Sequence, residues 1–202
     1  MVGRKQYDED QAIHAAMLTF WQSGYEGTSI SALESAMGLS KSSIYNAYGS
    51  KRQLYAQALN HFGKHYGETL LKDLAHPQFT VAIRQFFDRL LHRFENDYEP
   101  MGCFATKAGL EVGSSDAPAA EVVCAGLKLL REAFQTRIEQ AIQDGQLPGD
   151  TDCQKISAVL VSQTRGIAVL NLGTGDVRMA RQSVEGLLQL LDQQTGAERR
   201  RS

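Results

Sequence analysis

Three groups of residues in this chain have types and spacings that could do chemistry. Cys103 and Lys107 lie four apart in Gly102-Cys-Phe-Ala-Thr-Lys107. On a helix that spacing puts an ammonium near a thiol in the first turn, and both the ammonium and the helix dipole favour thiolate. Such a pair suits a sensor of oxidants or electrophiles, while a small apolar residue packed against Phe104 is the simpler account of the same cysteine. His61 and His65, also four apart, could chelate a metal with Glu68. A protein metal site recruits further ligands, and the sequence shows none beside them, so the trio reads as a solvated helix face. Neither a metal nor another cofactor is expected. The third group is Lys41-Ser-Ser-Ile-Tyr-Asn46. Its small polar side chains and single positive charge match the donors and acceptors of base edges and phosphates.

Other chemistries are missing from the sequence. There is no Gly-rich phosphate loop, no His-Glu-x-x-His, no nucleophile elbow and no Cys-x-x-Cys, so an enzyme would have to be a helical one without a recognisable motif. The chain has 202 residues, 43% of them hydrophobic and 22% charged, with four prolines. This is enough for one or two globular domains with real cores. Three cysteines at wide spacing do not form a disulfide framework. No uninterrupted apolar run approaches the roughly 18–20 residues of a bilayer span, and MVGRKQYDED has no secretory apolar stretch. A cytoplasmic, reduced protein without a membrane partner is expected.

The net charge is −2. Residues 1–60 balance five basic against five acidic groups, residues 61–198 hold thirteen against eighteen, and Arg199, Arg200 and Arg201 end the chain. A whole-domain basic patch is therefore absent, yet Lys41, Lys51 and Arg52 have no acidic residue among positions 40–52.

Helical periodicity prevails and strand-like alternation is missing, which predicts an all-α chain of about nine helices. Asp10 to Gly24 forms the first, with Gly24 as its C-cap. Thr28 or Ser29 caps a second that stops near Gly38; Ser40 caps a third that Gly49 ends; Ser50 opens a longer one through Phe62 and on to Leu74. His76-Pro77 breaks the pattern. Further helices follow at Phe79–Tyr98, Gly102–Val112, Ala117–Gln143, Asp152–Leu172 and Val177–Gln194. This divides the chain into a three-helix domain at 1–50, a larger helical domain at 51–198, and a basic tail at 199–202.

The second and third helices make a tight pair if Gly38 takes a positive φ at Met37–Leu39. Ile30, Leu33, Met37, Leu39, Ile44 and Ala47 then pack inward. Lys41, Ser42, Ser43, Tyr45 and Asn46 remain outward, on a helix sized for the major groove whose N-terminal N–H groups favour phosphate.

Phe20, Gly24-Tyr25, Thr28-Ser29-Ile30, Leu33, Ala36, Gly38-Leu39-Ser40-Lys41-Ser42-Ser43-Ile44-Tyr45, Tyr48 and Lys51 with Leu54 resemble the N-terminal domain of TetR-family transcriptional regulators. The likeness runs over about fifty residues without a gap in spacing. Glu34 departs from it where the family often has alanine, Ser42 where glycine is frequent, and Asn46-Ala47-Tyr48 in the ending of the third helix. The resemblance implies that Lys41, Ser43 and Asn46 face bases or nearby phosphates. It also implies that Thr28 caps its helix and touches the DNA backbone, and that Tyr45 and Lys51 hold phosphates. Ser42 and Tyr48 complete the DNA-facing set.

One two-turn reading helix makes few contacts, so a homodimer on a palindromic double-stranded operator is expected, with half-sites about 34–36 Å apart. The last two helices are the natural interface, through Val159, Leu160, Ile167, Val169, Leu170, Val184, Leu187, Leu188, Leu190 and Leu191. Between them and Phe79 an apolar or amphipathic effector would lie among Phe86, Leu90, Phe94, Cys103, Phe104, Leu127, Phe134, Ile138 and Ile167, with Gln163, Thr164 or Arg165 orienting it. The resemblance implies a repressor that leaves DNA when the effector binds. Cys103 offers an alternative, redox-driven trigger.

Overall fold

Every regular element in the computed structural model, which describes residues 8–95, 100–111 and 117–197, is helical. The order is α1 (Glu9–Gly27), α2 (Ile30–Met37), α3 (Lys41–Tyr48), α4 (Lys51–Phe62), a π-helical turn (Gly63–Gly67), α5 (Glu68–Asp73), α6 (Phe79–Phe94), α7 (Phe104–Glu111), α8 (Ala117–Gln143), α9 (Cys153–Thr174) and α10 (Val177–Ala197). No residue outside a helix separates α4, the π turn and α5, so the described residues hold nine uninterrupted helical stretches. The predicted basic tail at 199–202 lies outside the described residues, as do Tyr98 and Val112.

The domain boundary falls elsewhere than predicted. One compact unit comprises residues 8–65 together with 103–111 and 117–124; the other comprises 66–95, 100–102 and 125–197. Helix α4 therefore belongs with the first three helices, and so does α7, which is forty residues further along. A linear pattern shows where helices start and stop, but not that a later helix folds back onto an earlier core.

The reason for α7's position is a break in α1. Gly24 adopts φ 76°, ψ 175°, a conformation that only glycine takes without strain. The predicted cap is thus real, and a short turn to Gly27 follows it. The break strands backbone groups on both sides, and α7 supplies partners for them. Lys107 Nζ donates to the carbonyls of Trp21 and Gln22, each at 2.9 Å, while the Glu111 carboxylate accepts the Glu26 N–H at 3.3 Å. A cation on the last carbonyls of a helix also suits the dipole. Between these polar contacts Phe104 enters the aromatic core of the unit, fully buried, with ring centroids 5.6 Å from Tyr55, 5.8 Å from Phe62 and 6.3 Å from Trp21.

The second unit is built on α6, α9 and α10, with the later turns of α8. Phe86, Leu90, Phe134, Ile138 and Ile167 join Phe79, Ile83, Phe87, Leu91, Leu160, Val184, Leu188 and Leu191 in one buried cluster, against which Phe94 packs. Phe86 meets Phe134 edge-on at 5.0 Å. Asp152 caps α9 by accepting the Lys155 N–H at 3.0 Å. Helix α9 is long and apolar enough to cross a bilayer by length and composition alone. In this fold one of its faces is core: Leu160, Thr164, Ile167, Ala168 and Asn171 are all buried.

Candidate nucleic-acid interface

The α2–α3 pair is fixed by its caps. Ser29 caps α2 by accepting the Ala32 N–H at 3.1 Å, and Gly38 (φ 65°, ψ 26°) ends it in the left-handed turn that the sequence predicted. Ser40 caps α3 through the Ser43 N–H at 3.2 Å. Ser50 and Gln53 form a reciprocal capping box at the start of α4, with Ser50 N–H to Gln53 Oε1 at 2.8 Å and Gln53 N–H to Ser50 Oγ at 3.2 Å. The Gln57 amide ties α4 to α3 through the Tyr48 carbonyl at 3.1 Å. Leu33, Met37 and Ile44 are buried beneath the pair.

This scaffold leaves one polar face on α3. Lys41, Ser42, Tyr45 and Asn46 are exposed and Ser43 is half-buried. The hydroxyls of Ser42 and Ser43 both turn to Ser40 Oγ, at 3.0 and 2.9 Å, which holds the polar N-terminal turn as a linked set. Lys51 stands at the first position of α4 with its ammonium 4.4 Å from the centre of the Tyr25 ring, a cation–π contact that fixes where this charge is presented.

Four expectations about this surface need correction. Thr28 is 1% exposed and its hydroxyl donates to the Gly24 carbonyl at 2.6 Å, so it closes the α1–α2 turn and cannot contact DNA with its side chain. Tyr48 is buried at the end of α3, facing the core instead of the groove. Ala47, expected inside, is exposed. The N-terminus of α3 is not simply open to phosphate either, because the Glu34 carboxylate accepts the Lys41 N–H at 2.6 Å.

Glu34 thus places a negative charge where DNA phosphates would approach. Glu34→Gln keeps an acceptor for Lys41 and removes the charge. It is expected to tighten binding to any duplex by about 3- to 10-fold at low salt, with the gain shrinking as salt screens it. Fluorescence anisotropy against an operator and a scrambled duplex checks this: an equal gain on both is expected.

The effector residues divide. Phe86, Leu90, Phe94, Phe134, Ile138 and Ile167 do come together, as described, but as packed core. Leu127 is half-buried and is not among the buried members of that cluster. Gln163 binds Ser183 Oγ of α10 at 2.8 Å, joining two helices in place of facing a cavity. Phe104 belongs to the first unit, where it packs in the aromatic core. Cys103 also lies in the first unit, half-buried just before α7. Lys107 Nζ, expected beside that thiol, donates to the carbonyls of Trp21 and Gln22.

The histidines also differ from expectation. His61 and His65 are joined by His14 of α1, with the three ligating nitrogens within 4.8 Å of one another, and Glu68 is not in the group. His14 lies 47 residues before His61, and no local spacing announces such a contact.

A short polar helix held by serine caps against two others, with its neighbour's lysine beside it, defines a helix-turn-helix DNA-binding protein. Residues 12–58 match the family described as bacterial regulatory proteins, tetR family, and residues 81–187 match the tetracyclin repressor-like C-terminal domain. The chain belongs to the TetR family of transcriptional regulators. It is 26% identical over 190 residues to YezE of Bacillus subtilis strain 168, named an uncharacterized HTH-type transcriptional regulator, covering 93% of this chain and 98% of that one. The HTH-type transcriptional repressor ComR of Escherichia coli K12 is 22% identical over 170 residues, covering 82% and 80%. Among solved structures, the TetR family regulator CifR bound to 26-base-pair operator DNA superposes with a TM-score of 0.85 at 28% identity, covering 93% of this chain and 98% of CifR. The protein is accordingly a DNA-binding transcriptional regulator.

Proposed function

We propose that this chain is a homodimeric repressor that reads a palindromic operator with α3 of each copy and leaves it when an apolar or amphipathic effector enters the second unit. The observation that carries the reading is the exposed face of α3, with Lys41, Ser42, Tyr45 and Asn46 outward and Ile44 buried behind them. Lys51 and Tyr45 supply phosphate contacts, which set affinity and register; Lys41, Ser43 and Asn46 supply discrimination.

An effector acts here by binding two conformers unequally, favouring the one whose paired α3 helices no longer match the half-sites. It would enter by parting the Phe86–Phe134 contact and the aliphatic side chains around it. No bond is made or broken in this reading; the chain acts in the cytoplasm by binding and releasing DNA.

A mobility shift on the DNA flanking the coding region, followed by challenge with small molecules, tests the proposal. Two substitutions separate the roles. Lys51→Ala is expected to weaken binding to all duplexes and lower the salt slope by about one unit. Asn46→Ala is expected to cost about 1–3 kcal/mol on the operator and almost nothing on unrelated DNA. Equal losses on both duplexes for Asn46→Ala would remove it from the reading face.

A further inference from the structure

Three imidazoles from two separate helical segments converge at one edge of the first unit. His14 comes from the second turn of α1, His61 from the last turn of α4, and His65 from the π turn that follows. His14 Nδ1 lies 3.2 Å from His61 Nε2. Ring centroids are 5.4 Å apart for His14 and His61, 5.2 Å for His14 and His65, and 5.9 Å for His61 and His65. The other nitrogen of His61, Nδ1, is 3.6 Å from the Asp10 carboxylate.

We infer that His14, His61 and His65 form a binding site for one divalent transition-metal ion, with Asp10 orienting His61 from behind. A metal with bonds of about 2.0–2.1 Å to nitrogen holds neighbouring ligand atoms about 3.3 Å apart in a tetrahedral shell. The His14–His61 pair is already at that separation, and all three nitrogens fall within 4.8 Å. Only a side-chain adjustment of the exposed His65 is needed to close the set. Asp10 on the far nitrogen of His61 follows the carboxylate–histidine–metal pattern that fixes tautomer and ring orientation. His65 faces solvent, which leaves a fourth position for water. An all-imidazole set selects zinc, copper, nickel or cobalt over calcium or magnesium. The π turn contributes directly, because such irregular turns re-aim side chains within a continuing helix and concentrate at functional sites.

The bound ion would clamp α1 to the end of α4, two helices of the unit that carries α3. This inference does not depend on the operator or the effector.

Titration of the full-length protein with Co²⁺ tests it. One equivalent per chain is expected, with the visible absorption of a four-coordinate nitrogen and oxygen site, displaced by Zn²⁺ and accompanied by a rise in melting temperature. His65→Ala decides the matter, because an exposed ring can be removed without touching the core; it should weaken binding about tenfold or more, and Asp10→Asn by about tenfold. The site is refuted if the wild-type chain takes up no Co²⁺ or Zn²⁺ at micromolar concentration, or if His65→Ala binds as well as wild type. Near-ultraviolet sulfur-to-cobalt charge transfer would also refute it, since the cysteines would then hold the ion.

Discussion

Replacing Phe104 by alanine is expected to cost about 3–5 kcal/mol, as removal of a fully buried phenyl ring usually does, and to abolish operator binding near the growth temperature. The ring stands among Trp21, Tyr55 and Phe62 in the unit that carries α3. Its loss opens a cavity that three aromatic rings cannot collapse to fill. With domain stabilities of about 5–15 kcal/mol, a loss of this size leaves a large fraction unfolded on mild heating. Trp21 is the only tryptophan in the chain and touches Phe104, so its fluorescence reports this unit's unfolding directly. The expected result is a lowered Trp21 transition in denaturant together with lost DNA affinity. An unchanged Trp21 transition, with altered small-molecule binding in its place, would return Phe104 to the effector site.

That substitution also marks the limit of what could be read in the chain. Caps and turns were legible because they are local: Ser29, Ser40 and Ser50 hold the N–H groups expected of N-cap residues, and Gly24 and Gly38 take the positive φ that other residues avoid. The exposed face of α3 followed from the same local pattern. What failed was long-range. Nothing within Gly102–Lys107 says that a broken α1 needs a donor at Trp21 and Gln22, and Phe104 at helical spacing looks the same in either core. His14 stands on another helix, 47 residues before His61, where no single-helix ligand spacing reaches it. Thr28 and Tyr48 were misplaced because family resemblance marks a position as important without distinguishing a residue that touches DNA from one that shapes the surface doing so. Glu34, a departure from the family pattern, accepts the first N–H of α3.

Combining Val169→Glu with Leu190→Glu is expected to yield a well-folded monomer whose operator affinity falls at least about 100-fold. The argument begins with which apolar residues of α9 and α10 the second unit has already used. Leu160, Ile167, Val184, Leu188 and Leu191 are buried within the chain, while Val159, Val169, Met179 and Leu190 are exposed. On α9 the outward positions Val159, Ser162, Gly166, Val169 and Gly173 recur at alternating intervals of three and four residues, and on α10 Met179, Ser183, Gly186 and Leu190 do the same. That is the spacing of a helical seam, and its small members let a facing helix approach closely. Two copies related by a two-fold axis would bring the same stripes together as a four-helix bundle, so each added carboxylate is buried twice without a partner. In the isolated chain both positions face water, where such substitutions change stability by no more than about 0.5 kcal/mol. Operator affinity, by contrast, depends on two α3 helices binding at once, and linkage of two sites commonly contributes 10²–10⁴. Light scattering should give the mass of one chain, circular dichroism an unchanged melting curve, and anisotropy a Kd close to that for unrelated DNA. A variant that stays dimeric would move the interface off this seam, and a monomer that holds the operator undiminished would show that one α3 helix is enough.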